Sequence, residues 1–353
     1  MLPPASNAFK PQNKALSVFK PGVALSTPES HMPEAQVRLM RKQKYALFGH
    51  SAAKTCHYLK TSLEEGKNCY KFHFYGIQSH RCLQMSPVSV NCSQNCIYCW
   101  RSTNWQGSEM LEKFDEPEAI VGESLRAQKR LLSGFGGLVK EGRVEKKKWE
   151  ESLSPKHVAI SLTGEPTLYP KLGELIRLYH EKHMTTFLVS NGLQPEALKN
   201  LKELPTQLYV SIDSPNQKTH LELNRPLVEN SWEKLMETLE LFPSLKCRKV
   251  LRITCVKGYN MDSEKEFAAL IKKARPDFVE VKGYSWVGLS RQKLKEENVP
   301  MHSEIKAFAE RINSFLPNYK FGGEFEDSRV LMLWNCSTPQ KIDFESFFQE
   351  RGV

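Results

Sequence analysis

The chain has 353 residues, with 50 Lys and Arg against 40 Asp and Glu, a formal net charge of +10. That length buries a sizeable core in one large α/β domain or two modest ones, which excludes a disordered interaction peptide. No stretch approaches the ~20 apolar residues that span a bilayer, and the Met-Leu-Pro-Pro start lacks the basic-then-apolar order of a signal peptide, so the chain reads as cytosolic, with no membrane part.

Residues 1 to about 35 are rich in Pro, Ser, Ala and Lys without apolar periodicity and read as a flexible tail. Residues 36–84 form an ordered but irregular segment that holds Cys56, Cys69 and Cys82. From there an alternation begins. Strands are expected at Met85–Asn91, Val158–Thr163, Thr186–Ser190, Gln207–Asp213, Val250–Lys257 and Phe278–Tyr284, each a short apolar, β-branched run. Helices are expected at Pro117–Leu132, Lys171–Lys182, Pro195–Leu201, Ser231–Leu241 and Ser263–Lys273. Ser133–Pro155, with Gly134, Gly136, Gly137 and a lysine run, reads as an inserted loop. Helix Ser303–Phe315 and strand Arg329–Trp334 would extend or cap the sheet. Strands alternating with helices imply parallel βαβ units with functional loops at the carboxyl ends of the strands. The fold class is therefore α/β: a partial (β/α)6 barrel over 85–290, an N-terminal extension over 36–84 and a C-terminal extension over 291–353.

Six of the nine cysteines lie between Cys56 and Cys99, and in a reducing compartment ligation explains such a cluster better than disulfides do. Cys92, Cys96 and Cys99, spaced C-x3-C-x2-C, are one ligand short of the four that usually close a structural zinc or an electron-transfer iron–sulfur site. A fourth ligand from outside is invited. The triplet, with Tyr98 just before its last cysteine, resembles the signature of the radical S-adenosylmethionine (SAM) superfamily, in which the amino and carboxylate groups of SAM chelate the open iron of a 4Fe-4S cluster. Zinc is the competing reading of the same three thiols. Later strand ends carry polar turns: Gly164-Glu165-Pro166-Thr167, Ser190-Asn191-Gly192 and Ser211-Ile212-Asp213. Glycine at such an end lets the backbone approach a ligand, although helix capping is an equally ordinary task for Ser, Asn and Asp. In radical SAM enzymes the turn after the second strand holds the methionyl amine. The resemblance thus makes Gly164, Glu165, Pro166, Thr167, Ser190, Asn191, Ser211, Asp213 and Thr254 the expected SAM contacts.

Cys56, Cys69 and Cys82 follow at two equal steps of 13 residues, which no short zinc motif has. With them, Phe74-Tyr-Gly-Ile-Gln-Ser-His-Arg-Cys-Leu-Gln-Met85, Cys99-Trp-Arg101, Leu131-Leu-Ser-Gly-Phe135, the run His157 to Pro170 and Val279-Glu-Val-Lys-Gly-Tyr284 resemble the 4-demethylwyosine synthase family over about residues 36 to 340. The resemblance implies a radical SAM enzyme that builds a tricyclic base from N1-methylguanosine 3′ to the anticodon of phenylalanine tRNA, with pyruvate supplying two carbons. It implies two 4Fe-4S clusters, one on each triplet, and a lysine two residues after the middle upstream cysteine, here Lys71, that condenses with pyruvate. It also implies the short, archaeal-type form, taken as a monomer, without a flavodoxin-like domain and so dependent on an external electron donor of flavodoxin or ferredoxin type.

The excess of base suits a tRNA partner. Basic runs at 41–44, 140–148, 246–249 and 291–295, and Trp105, Trp149 and Trp286, are candidate contacts, against the plainer readings of solvated faces and core packing. Two other functions compete: another radical SAM enzyme, RNA-modifying or glycyl-radical activating, and a zinc-stabilised RNA-binding module.

Overall fold

A computed structural model describes residues 25–101 and 113–353 of the chain. Helix α1 (Glu34–Lys42) precedes two short strands, β1 (Ala46–Phe48) and β2 (Ser51–Ala53); α2 (His57–Glu64) and α3 (Tyr70–Tyr75) then lead into β3 (Cys82–Ser86). The segment expected to be irregular is thus mostly regular, in elements too short for a periodicity to register. Part of the expected tail is also packed. Met32 is buried with Val37, Met40 and Tyr45, and the Ser26 amide and hydroxyl both donate to the Asp115 carboxylate at 2.7 and 2.8 Å.

From β3 the chain alternates through α4 (Pro117–Leu132), α5 (Phe135–Lys140), α6 (Lys146–Ser152), β4 (His157–Ile160), α7 (Leu172–His180), β5 (Thr185–Ser190), α8 (Pro195–Lys199) and β6 (Gln207–Ser211). It continues through α9 (Gln217–Thr219), a π-helical turn His220–Asn224, α10 (Ser231–Leu241), β7 (Arg248–Cys255), α11 (Glu264–Ala274) and β8 (Phe278–Gly283). Helix α12 (His302–Asn313), β9 (Lys320–Phe325), β10 (Val330–Trp334) and α13 (Phe344–Gln349) complete it. The expected insertion at 133–155 is therefore largely two helices, α5 and α6. The first core strand ends at Ser86 rather than Asn91, because Pro87 has no N–H for the ladder.

Among the described residues ten strands form one sheet, in the order β1-β2-β3-β4-β5-β6-β7-β8-β10-β9. Its centre, β3 to β8, is parallel throughout, the six units that the alternation implies. Antiparallel strands flank it: β2 and β1 on one side, β10 and β9 on the other. Successive side chains of a strand point to opposite faces. Leu83, Ile160, Leu188, Val210, Ile253 and Val281 accordingly belong to the main core, which also holds α4, α7, α11 and α12 residues. The alternate positions Phe187, Tyr209, Val250 and Phe278 pack instead with Tyr70, Phe74 and Tyr75 of α3. Helix α3 is therefore laid across the inner face of the sheet. The C-terminal segment holds it there: Ile342 N donates to Tyr75 O at 3.2 Å, Lys341 Nζ donates to the Phe72 and His73 carbonyls, and Arg248 donates to Pro339 O and Gln340 O.

Candidate active site

Both cysteine triplets open into one cavity of about 510 Å³ on the inner face of the sheet. The local folding of the upstream segment explains the 13-residue step. Cys56 and Cys69 each stand at the N-cap of a short helix, α2 and α3, and Cys82 opens β3. One short helix and its connection thus separate each thiol from the next. Cys92, Cys96 and Cys99 sit in the loop beyond the carboxyl end of β3, where a parallel sheet presents its functional groups. The back of that loop is fastened to the π-helical turn: Ile97 N donates to Leu223 O at 2.9 Å, and Asn95 N to Asn224 O and Arg225 O at 3.2 and 2.9 Å. A π turn hydrogen-bonds one residue further along than an α turn, and such turns recur at functional sites.

Burial is the chief cause that displaces the pKa of the Cys56, Cys82, Cys92, Cys96 and Cys99 thiols upward. Cys82 and Cys96 reach about 12, where neighbouring sulfurs add repulsion. Thiolates gathered there need a cationic centre to hold them. Each triplet supplies three soft donors and no fourth, which fits an iron–sulfur cluster with one open iron. Among the described residues no set of three or more His, Cys, Asp or Glu side chains is arranged around a single metal ion. A cluster carries each thiolate on its own iron, so its sulfurs need not meet at one point.

Lys71, one residue into α3, lines the same cavity. Its Nζ lies 4.5 Å from the centre of the Tyr209 ring and 5.2 Å from that of Phe187. Burial lowers its pKa, with help from Arg252, while Glu280, Cys82 and Cys69 oppose. More of the neutral amine is therefore present than on a free lysine, and that is the form in which lysine is a nucleophile. Around it the strands contribute charged residues at alternate, inward positions. Arg252 donates to Glu280 at 3.2 Å and to Tyr70 Oη at 2.8 Å, Tyr75 Oη donates to Glu280 at 2.9 Å, and Lys282 donates to Ser328 O at 2.6 Å. Burial lowers the Lys282 pKa to about 8. Glu280 and Lys282 fall in the run Val279 to Tyr284, which gives them no role, and Arg252 falls in no motif; a charge on the inward face of a strand otherwise rich in apolar residues is the signal that exposes them.

The expected SAM contacts divide in two. Gly164, Ser211, Asp213 and Thr254 line the cavity. Gly164 has φ +68°, and a Cβ there would lie 2.2 Å from Val88 O and 2.7 Å from Asn91 O, so the turn admits only glycine. Glu165, Pro166, Thr167, Ser190 and Asn191 do not reach the lining and instead support it. The buried Glu165 carboxylate accepts from Thr167 N and Oγ1 at 3.1 and 2.6 Å and from Asn191 N at 2.8 Å, tying two strand-end turns together. Pro166 opens the following 3-10 turn, and Ser190 Oγ accepts from Gly192 N. Asp213 is itself engaged, taking Thr254 N at 2.6 Å and Tyr98 Oη at 2.5 Å. It fixes the aromatic ring that precedes Cys99. Of the tryptophans, Trp149 and Trp286 each donate Nε1 to a backbone carbonyl, Leu132 O and Leu294 O, and pack in apolar clusters; Trp105 lies outside the described residues. Trp100, beside Cys99, is 43% exposed at the cavity edge.

Comparison with known proteins agrees with this geometry. Residues 86–271 match the Radical SAM superfamily and residues 273–335 match Wyosine base formation. The tRNA 4-demethylwyosine synthase of Pyrococcus abyssi is 48% identical over 91% of this chain and 94% of its own length. That of Methanocaldococcus jannaschii is 40% identical over 86% and 97%. The human synthase TYW1 is 36% identical over 83% of this chain but only 40% of its own length. A solved structure of TYW1 with a lysine–pyruvate adduct bound superposes with a TM-score of 0.80 at 39% identity, covering 89% of this chain and 99% of that one. A crystal structure of archaeal TYW1 gives 0.74 at 36%, covering 88% and 100%. Neither the zinc module nor a radical SAM enzyme of another kind accounts for these matches. The chain belongs to the S-adenosyl-L-methionine-dependent tRNA 4-demethylwyosine synthases, radical SAM enzymes of wyosine-base formation.

Proposed function

We propose that the two ends of the cavity divide the synthase reaction between them. Cys92, Cys96 and Cys99 hold a 4Fe-4S cluster whose open iron takes SAM; Cys56, Cys69 and Cys82 hold a second cluster beside the pyruvate site. The observation that carries this reading is that two incomplete thiol triplets and the half-buried Lys71 line a single cavity. When bound, the cluster and SAM supply, on one-electron reduction, a carbon radical strong enough to take hydrogen from the N1-methyl group of the target guanosine.

The protein's own residues do the rest. Thr163 and Gly164 bring backbone to the cavity wall for the methionyl group, on a turn held rigid by Glu165. Ser211, Thr254 and the Asp213–Tyr98 pair form the wall beside it. The neutral Lys71 amine adds to the keto carbon of pyruvate and water leaves, so that pyruvate is held as a Schiff base with its methyl and carboxylate fixed. The target nucleotide, next to the anticodon of phenylalanine tRNA, leaves its stack to enter, at a cost of a few kcal/mol that contacts with the enzyme offset. An external one-electron carrier serves the SAM-side cluster.

Single substitutions separate the two ends. Cys96→Ala is expected to abolish SAM cleavage. Cys69→Ala should keep cleavage to methionine and 5′-deoxyadenosine, uncoupled, while losing the tricyclic base. Chromatography of both products after anaerobic incubation checks this, and equal loss of both activities in both variants would contradict a division of labour.

A further inference from the structure

Three carboxamides lie against the sulfurs of the SAM-side triplet: Gln94, within the cysteine loop, presents its Oε1 to Cys96 Sγ at 3.4 Å, whereas Asn191 and Asn224 present nitrogen, one at each of two cysteines. Asn191 Nδ2 lies 3.7 Å from Cys92 Sγ and 2.9 Å from Ser93 Oγ. Asn224 Nδ2 lies 3.7 Å from Cys96 Sγ and 3.1 Å from Tyr98 Oη. Their orientation is fixed by other bonds. Asn191 Oδ1 accepts from Leu193 N at 3.0 Å, so its nitrogen faces the sulfur. Tyr98 gives its only proton to Asp213 and can therefore only accept from Asn224. Asn224 Oδ1 in turn accepts from Ser214 Oγ. Both side chains come from outside the cysteine loop, Asn191 from the end of β5 and Asn224 from the π-helical turn, so neither is placed merely by proximity in sequence. Asn224 is only 3% exposed.

We propose that Asn191 and Asn224 are positioning residues that set the reduction potential of the SAM-side cluster by donating N–H···S hydrogen bonds to its thiolate ligands. This rests on the reading of Cys92, Cys96 and Cys99 as cluster ligands. An N–H aimed at a ligating sulfur withdraws electron density from the iron and stabilises the extra electron of the reduced state, and such bonds are among the levers that spread cluster potentials over a wide range. Asn191 is thereby assigned to the cluster rather than to SAM. The π turn gains a purpose as well: besides its loose carbonyls, which take the loop's N–H groups, it delivers one amide to the buried sulfur.

The test is a potentiometric titration of the anaerobically reconstituted full chain, followed by the electron paramagnetic resonance signal of the reduced SAM-side cluster. Asn191→Leu and Asn224→Leu keep the branched four-atom shape of the side chain and remove the donor. Each should lower the potential, reducing the reduced-to-oxidised ratio at a fixed poise about tenfold, which for a one-electron couple is ~59 mV. An unchanged potential in both variants, in protein that holds its cluster and cleaves SAM, overturns the inference and leaves the ligand assignment standing. Wild-type protein with no iron–sulfur signal overturns the ligand assignment itself. Should a leucine variant fail to take up iron, unaltered protein carrying asparagine labelled with 15N at Nδ2 decides the matter: a 15N hyperfine coupling at the reduced cluster is expected, and its absence overturns the inference.

Discussion

Lys71 concentrates the chemistry of this cavity in one side chain. Its amine is pulled two ways. Burial and Arg252 favour the neutral form, Glu280 and the thiols the charged one, and burial is the largest of these influences. A Schiff base needs the neutral form, so borohydride added with pyruvate should fix a covalent adduct on Lys71, seen as a mass increase on the peptide that carries it. An unmodified Lys71 would leave it an electrostatic role only. Lys282 is the internal control, since its amine lines the same cavity and its pKa also falls; an adduct there would move the pyruvate site to β8. Motif reading finds Lys71 because it stands two residues from a cysteine. It leaves Lys282, Arg252 and Glu280 without a role, because their roles arise only when β7 and β8 pair in register, Arg252 opposite Glu280 and Thr254 opposite Lys282. Asn224 leaves no trace in sequence at all, because what places it is a π turn.

Among the elements, five of the six parallel strands, β4 to β8, were legible as short runs rich in apolar and β-branched residues bounded by turn residues, whereas β3, Cys-Leu-Gln-Met-Ser, was expected three residues too late, at Met85–Asn91. The flanking strands β1, β2 and β9 were not legible. Two are three residues long, and β9 reads Lys-Phe-Gly-Gly-Glu-Phe, too rich in glycine to signal a strand. The closure of the lower end of the sheet was also hidden, since it joins residues far apart in sequence. There the buried His157 of β4 has its ring 5.2 Å from that of Phe344 in α13. Its Nε2 accepts from Gln78 N at 3.3 Å, next to the upstream triplet. Burial, aided by Arg81, holds the His157 pKa down to about 3. The unfolded chain binds this proton below pH ~6.5 and the folded chain does not, so stability falls as pH drops from ~6.5 toward 3, by up to ~1.4 kcal/mol per pH unit. Urea unfolding of the apoprotein at pH 7.5 and 5.5 should show this loss, and His157→Gln should flatten it. An equal pH dependence in the variant would contradict the assignment.

At the scale of the whole molecule, the +10 charge suits the tRNA on which the proposed reaction acts. Neutralising phosphates releases counterions, so the affinity for tRNA should drop steeply between low and physiological salt, with a log–log slope that counts the contacts. A flat response, measured by filter binding, would exclude the basic loops as the contact surface. Composition gave the sign of this partner, whereas the site that acts on it required the fold. Cys56 and Cys99 are 43 positions apart in the chain, and only the crossing of α3 over the inner face of the sheet brings the two triplets to one cavity. Nucleoside analysis by mass spectrometry tests the account most directly, using phenylalanine tRNA that carries N1-methylguanosine, incubated anaerobically with the reconstituted protein, SAM, pyruvate and a reductant. The account predicts loss of N1-methylguanosine and appearance of 4-demethylwyosine only when SAM and pyruvate are both present. Unchanged N1-methylguanosine, with protein that carries its clusters and cleaves SAM, would contradict it.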